Sequence, residues 1–366
     1  GAEQRPTAEI RRVSQSIYDE FLAPPGVKHW MRSRTAICFY GHSQPARNVQ
    51  IRGLHDASRS WGIPFEWVTV GAEQDLTKLL GYERILFITT LAFVPLVSSI
   101  LSRRDGAIAL MGNWYETPDS PWVPQLTAQD VATLDEYREQ IAVVLSECSR
   151  EGTEKYCRGY IDKHGLPVMS FTWGINLFRH FPVTVLQIAD LVFLGSYFEK
   201  TSRIDAYFGE PLRRFSHTFF GVGWEDSPHP ISDRMLDDFD AAAPILYSGH
   251  AISLNVHQPY EEEGFTCNER TFNSVAWGGG GVQITDRAPR VRDFFGEDEV
   301  IVAEDASDFL DKVEHFVVRP EERTPYVEKA RRRVVAEHTY HHRLCDLLWY
   351  VIEGRTRYSH CPVLER

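Results

Sequence analysis

The sequence predicts an α/β protein of two successive doubly wound domains, each a mostly parallel sheet covered by helices. Two observations predict it. From Arg34 onward, short apolar runs alternate with longer stretches whose apolar residues recur at helical spacing. Strands alternating with helices imply crossover connections and parallel pairing. The alternation also occurs twice, once before residue 172 and again from Asp190, with no fixed-period repeat and no low-complexity linker. The length of 366 residues suits two domains of about 150 residues each.

The elements follow in order. Ile10, Val13, Ile17 and Phe21 recur at helical spacing, and Pro24, Pro25 and Gly26 end that helix. Thr35 to Tyr40 reads as a strand, Gly41, His42 and Ser43 as a turn, and Pro45 as the start of a helix. Phe65 to Val70, Arg84 to Thr89 and Ala107 to Met111 read as strands, with a helix from Phe93 to Ser102. Leu126 to Glu147 reads as one long helix, Pro167 to Phe171 as a strand and Asn176 to Asp190 as a helix. The second series has strands at Asp190 to Leu194, His217 to Phe220, Ile252 to Val256, Val282 to Thr285 and Glu299 to Val302. Its helices begin near Ser232 and at Thr271, and Ala306 to Ile352 is nearly all helix with breaks at Pro320 and Thr339. The domain boundary falls near residues 172 to 188.

Composition excludes several classes. Hydrophobic residues at 43% and charged residues at 25% rule out a disordered or fibrous chain. With 39 Lys and Arg against 51 Asp and Glu, the net charge of −12 argues against nucleic acid as a partner. Six scattered cysteines without a C-x-x-C pair predict reduced thiols and a cytoplasmic protein. Glu3, Arg5 and Glu9 leave no apolar core for a signal peptide. Ile85 to Leu101 falls short of the roughly 20 apolar residues of a membrane span and contains Thr89, Thr90 and Pro95, so no span is expected.

Several motifs carry competing readings. Gly278 to Gly281 lies after a helix and before a strand, the reverse of a phosphate loop, and is either a turn or a backbone approach to ligand. Gly221-Val222-Gly223 lacks the third glycine of a dinucleotide fingerprint. His338, His341 and His342 with Cys345 have helical spacing but no supporting ligand pair, so no metal site is expected. Asp238-Phe239-Asp240 reads as a solvated helix face beside Asp237. The most informative stretch is Tyr247 to Asp286. A strand ends at Asn255 and His257, and a polar loop leads to Asn268, Arg270 and a helix. Arg270 in a first helical turn is either an anion site or an ion pair with Glu269, Glu261, Glu262 or Glu263.

At these residues the sequence resembles the CgeB-type (spore maturation protein-like) glycosyltransferases of the group-one glycosyltransferase clan. The resemblance rests on Leu254-Asn255 with His257, Asn268, Arg270, Phe272, Gly278-Gly279 and Thr285-Asp286. Phe294, Gly296 and Glu299, Pro320 to Arg323, Glu337 to Tyr340 with Arg343, and Leu191 to Tyr197 extend it over residues 165 to 345. It implies a GT-B fold: two Rossmann-like domains facing an interdomain cleft, no obligate metal or other cofactor, and a C-terminal helix crossing back. The implied division is an N-terminal helix (1–30), an acceptor domain (31–178), a sugar-nucleotide domain (179–340) and a returning helix and tail (341–366). Gly195, Ser196 and Tyr197 would lie near the donor diphosphate. Gly223, Trp224, Ser253, Leu254 and Asn255 would surround the nucleoside. Arg270 and Thr271 would hold phosphate, with His257 and Asn268 in the same donor site. The family usually has Glu where this chain has Asn273, at the position expected to hold the donor ribose. Trp277 replaces a small residue.

Glycosyl transfer without a metal needs cations and helix N-termini to stabilise the departing diphosphate, which makes Arg270 the first catalytic candidate. An inverting enzyme also needs a general base, and His42, after the first strand and Gly41, is placed for it. Asn113, Trp114, Glu116 and Trp173 follow other strand ends and are acceptor candidates. The expected activity is transfer from a nucleotide-diphospho-sugar, as co-substrate, to a small-molecule or natural-product acceptor. The alternatives are a sugar-nucleotide epimerase or hydrolase on the same fold, and a non-catalytic nucleotide-sugar-binding protein. The sequence leaves the oligomeric state unread.

Overall fold

A computed structural model describes residues 8–112, 114–115, 125–198, 200–236, 238–263, 266–277, 281–358 and 361–365. The chain divides into two compact units. One comprises residues up to Asn176 together with Thr339 onward, the other Leu177–His338.

Unit 1 contains α1 (Ala8–Phe21), α2 (Pro25–Arg32), β1 (Thr35–Gly41), α3 (Pro45–Ser60), β2 (Phe65–Thr69), β3 (Arg84–Thr90), α4 (Val94–Leu101), β4 (Asp105–Met111), α5 (Ala128–Tyr137), β5 (Ile141–Ser146), α6 (Arg150–Tyr156), α7 (Arg158–His164) and β6 (Val168–Ser170). Unit 2 contains β7 (Ala189–Leu194), α8 (Thr201–Arg214), β8 (His217–Phe220), α9 (Phe239–Ser248), β9 (His250–Asn255), α10 (Pro259–Glu263), α11 (Arg270–Trp277), β10 (Val282–Thr285), β11 (Ile301–Val302), α12 (Ala306–Val318) and α13 (Pro320–Glu337). The chain then re-enters unit 1 with α14 (Tyr340–Glu353) and β12 (Val363–Leu364).

The two sheets share one plan. Unit 1 has the order β12-β6-β5-β4-β3-β1-β2 and unit 2 the order β11-β10-β9-β7-β8. All pairings are parallel except β12 on β6. Ile37 lies between Phe65 and Leu86, and Leu191 between His217 and Ile252. In each unit the second strand flanks the first on one side and the third on the other. The strand order therefore reverses beside β1 and beside β7, and in open parallel sheets ligands bind at the carboxyl ends beside such a reversal.

Helices cover each sheet with apolar faces. In unit 1, Ile17, Phe21, Val27 and Trp30 pack with Ile37, Phe39, Leu86 and Ile88, and α14 adds Leu344, Leu347 and Leu348. Thr339 and His342 form a capping box at the start of α14. The fully buried Arg343 donates to the carbonyls of Thr172 (3.3 Å) and Trp173 (3.0 Å). In unit 2, Leu191, Phe193, Phe208, Phe219, Ile252 and Phe309 form the main core.

Three expectations need correction. Leu126 to Glu147 is not one helix: α5 ends at Tyr137 and β5 follows. Five of the six residues of β5 are buried, and such a strand reads as an unbroken apolar run that periodicity cannot separate from a buried helix. Asn176 to Asp190 contains no helix. Pro182 and the β-branched Val183, Thr184, Val185 and Ile188 oppose one, and the segment bonds to Ser248 Oγ through Val183 N–H (2.9 Å) and to the Gly249 carbonyl through Ile188 N–H (2.6 Å). The helix expected from Ser232 starts at Phe239, because Asp238 caps it by accepting from Ala241 N–H at 3.1 Å. Ile85 to Leu101 divides between β3 and α4, and among the described residues no helix is long and apolar enough to cross a membrane.

Two predictions arise in unit 1. At Gly53 of α3 an added Cβ would lie 1.9 Å from the Tyr340 ring of α14. Gly53→Ala is expected to cost about 1–3 kcal/mol despite its better helix propensity, read as a lower urea midpoint at unchanged slope. Burial pushes the Asp346 carboxyl up to about 7, against the pull of the Tyr358 and Arg357 N–H groups it accepts. Its native pKa exceeds its unfolded one, so its contribution is complete below about pH 4 and is lost as pH rises through about 7. Burial pushes His341 of the same helix down to about 3, which gives the opposite slope: stability is lost as pH falls below about 6.5. Asp346→Asn is expected to flatten the fall in Tm between about pH 4 and pH 7 and to leave the acid-side loss in place.

Candidate functional site

The reversal of strand order in unit 2 places the end of β7 beside the end of β9, and Arg270 lies across that point. It is the first residue of α11 and is 5% exposed. Its Nε and Nη2 donate to the Leu194 carbonyl at 3.1 and 2.7 Å, where β7 ends. Its Nη1 donates to Asn255 Oδ1 at 3.2 Å, where β9 ends. The guanidinium rests 4.4 Å from the centre of the Phe193 ring. A Cβ on residue 195 would meet Nη2 at 2.5 Å, so Gly195 is what leaves room for the guanidinium. The ion pair left open by the sequence is not made to Glu262, which pairs with Arg203. Nor is it made to Glu261, which accepts from Gln258 N–H at 2.6 Å, and among the described residues no carboxylate pairs with Arg270. The Glu263 side chain lies outside the described part.

A buried polar network holds the start of α11 in place. Asn255 and Asn268 exchange amide hydrogen bonds at 3.2 and 3.0 Å, and Asn268 also donates to the Val256 carbonyl at 2.9 Å. Asn268 Oδ1 accepts from the N–H and the hydroxyl of Thr271, both at 3.1 Å, as a helix cap does. His257 sits between Asp286 (Nδ1 to Oδ1, 2.8 Å) and Thr271 (Nε2 to Oγ1, 3.2 Å). Asp286 also accepts from His257 N–H (3.1 Å), the Thr285 hydroxyl (3.1 Å) and Arg203 Nη1 (2.8 Å). Burial alone would raise the Asp286 pKa, but His257 and Arg203 hold it below the usual carboxylate range. Burial raises Glu261, partly offset by His257 and Lys200. Gln283 of β10 donates to the carbonyls of Arg270 (3.2 Å) and Thr271 (3.3 Å).

The other expected residues of unit 2 take distinct positions. Gly195 and Ser196 are half-buried, and the Tyr197 hydroxyl donates to Asp205 at 3.0 Å. Gly223 N–H donates to Asp233 at 2.9 Å. Trp224 is fully buried, and its indole N–H holds the Gly195 carbonyl at 2.9 Å, so it fixes the glycine turn from beneath. Leu254 belongs to the core. Ser253 and Asn273 are buried with Ser253 Oγ and Asn273 Oδ1 unbonded within the protein. Trp277 stacks on Tyr247 at 5.3 Å and donates to the Arg179 carbonyl at 3.1 Å.

In unit 1, Gly41 ends β1, and His42, Trp114 and Trp173 follow the carboxyl ends of β1, β4 and β6. His42 is exposed and lies edge-on to Phe93 at 5.2 Å. Trp114 is buried and stacks on Tyr156 at 4.9 Å. The Trp173 carbonyl is held by Arg343. Asn113 and Glu116 lie outside the described residues.

Sequence reasoning missed Arg203, Gln283 and Asp286 as site residues. One signal was available: Lys200 and Arg203 flank the start of the helix after β7, where the helix dipole disfavours cations, and such placement points to an anionic neighbour. The histidine cluster disperses. His338 bonds to the Phe294 carbonyl, His341 to Ser14 and Ser60, and His342 caps α14. Among the described residues no group could hold a metal ion. Gly278 to Gly280 and Asp237 lie outside the described residues.

Residues 203–348, which include Arg203, Arg270 and Asp286, match the family described as glycosyl transferase-like. Solved structures extend the likeness to the whole fold. Anabaena HepE (Alr3699) in complex with UDP-glucose superposes with a TM-score of 0.56 at 10% identity, over 87% of this chain and 99% of that one. The α,α-trehalose 6-phosphate synthase of Burkholderia multivorans gives 0.53 at 9% identity, over 87% and 96%. TarM gives 0.51 at 10% identity over 73% of this chain, which spans 54% of the length of TarM. No curated protein sequence matches the chain. The fold is GT-B.

Proposed function

We propose that this protein is a glycosyltransferase of the CgeB type, moving a sugar from a nucleotide-diphospho-sugar to a small-molecule or natural-product acceptor without a metal. The observation that carries the proposal is Arg270: a buried guanidinium with no carboxylate partner among the described residues, held where the strand order of unit 2 reverses. Three of its five N–H groups are engaged by Leu194 and Asn255, and the buried Tyr247 hydroxyl lies against the guanidinium. The guanidinium presents its charge to the diphosphate that leaves with negative charge. The Asn268-capped start of α11 adds its dipole to the same charge. The network through Asn255, His257, Thr271 and Asp286 keeps both in place before substrate arrives. Asn273 Oδ1, buried and unbonded, suits a ribose hydroxyl. In an inverting reaction His42 would take the acceptor proton. The net charge of −12 disfavours polyanionic acceptors, and reduced buried thiols suit a cytoplasmic setting.

Thermal shift with UDP, GDP, ADP, CDP and dTDP in the presence of a chelator tests the proposal. One nucleotide is expected to raise Tm. Asn273→Glu is expected to change that affinity by about 10-fold, as one hydrogen bond gained or lost at a ribose does. No shift with any nucleotide at millimolar concentration would sink the reading. Asn273 also favours a second reading, a nucleotide-sugar-binding protein without turnover. Binding with no sugar released or transferred over a broad acceptor panel would select it.

A further inference from the structure

Six cysteines are buried and the proposed reaction uses none of them. Burial pushes the thiols of Cys38, Cys267, Cys345 and Cys361 up. Cys148 and Cys157 differ because the chain folds one onto the other. β5 ends at Ser146, Ser149 caps α6 by accepting from Gly152 N–H, and Cys157 ends that helix. Both cysteines then bond to one hydroxyl: Cys148 N–H donates to Ser146 Oγ at 3.2 Å, and Cys157 Sγ lies 3.4 Å from the same oxygen. Thr153 Oγ1 donates to it as well, at 3.3 Å. Gathered at that hydroxyl, the two thiols act on each other's ionisation. Cys148 is the main cause that holds the Cys157 thiol low despite its burial, with Ser146 and the Tyr115 N–H in support, and Cys157 pushes Cys148 up.

We infer that Cys148 and Cys157 are a modification site, a dithiol that closes to a disulfide on exposure to a low-molecular-weight disulfide such as glutathione disulfide. Cys157 as thiolate attacks one sulfur of the oxidant, and a glutathione thiolate leaves. Cys148 then loses its proton and attacks the Cys157 sulfur, releasing the second glutathione. Both protons end on the departing thiols. The protein loses two hydrogens and the oxidant becomes two thiols. The oxidant reaches the pair through local opening of α6, which has seven residues and two exposed charged side chains at its start, Arg150 and Glu151. The new bond would tie the end of α6 to the end of β5. Tyr156 stacks on Trp114, and its carbonyl accepts from Tyr115 N–H at 2.9 Å, so the loop after β4 is coupled to the redox state. This inference stands apart from the glycosyl-transfer reading.

The test treats the folded chain with glutathione disulfide, then alkylates it and maps the peptides. The expected result is a Cys148–Cys157 link, with two of the six thiols lost to alkylation and the other four retained. Cys148→Ser is expected to stop at a glutathione adduct on Cys157, and Cys157→Ser to give neither link nor adduct. Trp fluorescence is expected to change on oxidation of the unmodified sequence and not of Trp114→Phe. Six free thiols after treatment, a first adduct on Cys148, or earlier oxidation of any other cysteine would each overturn the inference. The mapping of the unmodified sequence decides the matter even where a serine variant fails to fold.

Discussion

Arg270→Ala is expected to lower turnover by about 10²–10³-fold and to abolish the thermal shift with the cognate nucleoside diphosphate. The size follows from what the residue does in the proposed reaction. It holds a positive charge against the negative one that grows as the sugar–phosphate bond breaks, in a buried setting where water cannot substitute. Its engaged groups also join the ends of β7 and β9, so part of the loss reaches stability. Arg270→Lys separates the two effects. It keeps the charge but loses the fork that spans Leu194 and Asn255, and is expected to retain measurable nucleotide binding with turnover well below that of Arg270. Steady-state rates and thermal shift on the three proteins, with circular dichroism to verify folding, make the comparison. Full turnover in Arg270→Ala would remove the residue from the mechanism.

Asp286→Ala is expected to destabilise unit 2 by about 3–5 kcal/mol, the range for removing one partner of a buried ion pair. The carboxylate is fully enclosed and accepts four hydrogen bonds, two of them from His257 and one from Arg203. Without it, Arg203 keeps Glu262 and the Arg287 carbonyl at 3.5 Å, and the His257 ring loses the carboxylate that orients it. Because the Asp286 pKa is held down in the folded state, its stabilisation is present above the unfolded carboxylate range and is lost as pH falls through the native value. Chemical denaturation gives the magnitude, and hydrogen exchange is expected to place the lost protection in β9, β10 and α11. A cost under about 1 kcal/mol would mean that Arg203 and His257 find other partners and that the network does not hold α11.

The amino-acid sequence by itself determined the class of fold and the two successive α/β series that the two sheets follow. Each of these is written locally. The alternation of apolar runs with helical stretches needs no knowledge of distant residues. The glycine turn after β7 and the basic residue opening α11 are likewise visible within short windows. The breaks at Pro320 and Thr339 recur as the starts of α13 and α14, because a proline at the first helical position and a threonine cap act on their own turn.

Tertiary structure decided the rest. β5 looked helical because burial on both faces erases the alternation that marks a strand, and only pairing with β4 and β6 reveals it. Whether Arg270 meets a neighbouring glutamate or a distant carbonyl depends on β7 lying beside β9, which brings residues 194 and 270 together. Arg203 and Asp286 meet across 83 positions, and Cys148 meets Cys157 only because α6 folds back on the strand before it. Hydrogen bonds and ion pairs act over a few ångströms, so partners far apart in sequence become legible only once strand order and helix return bring them within that reach.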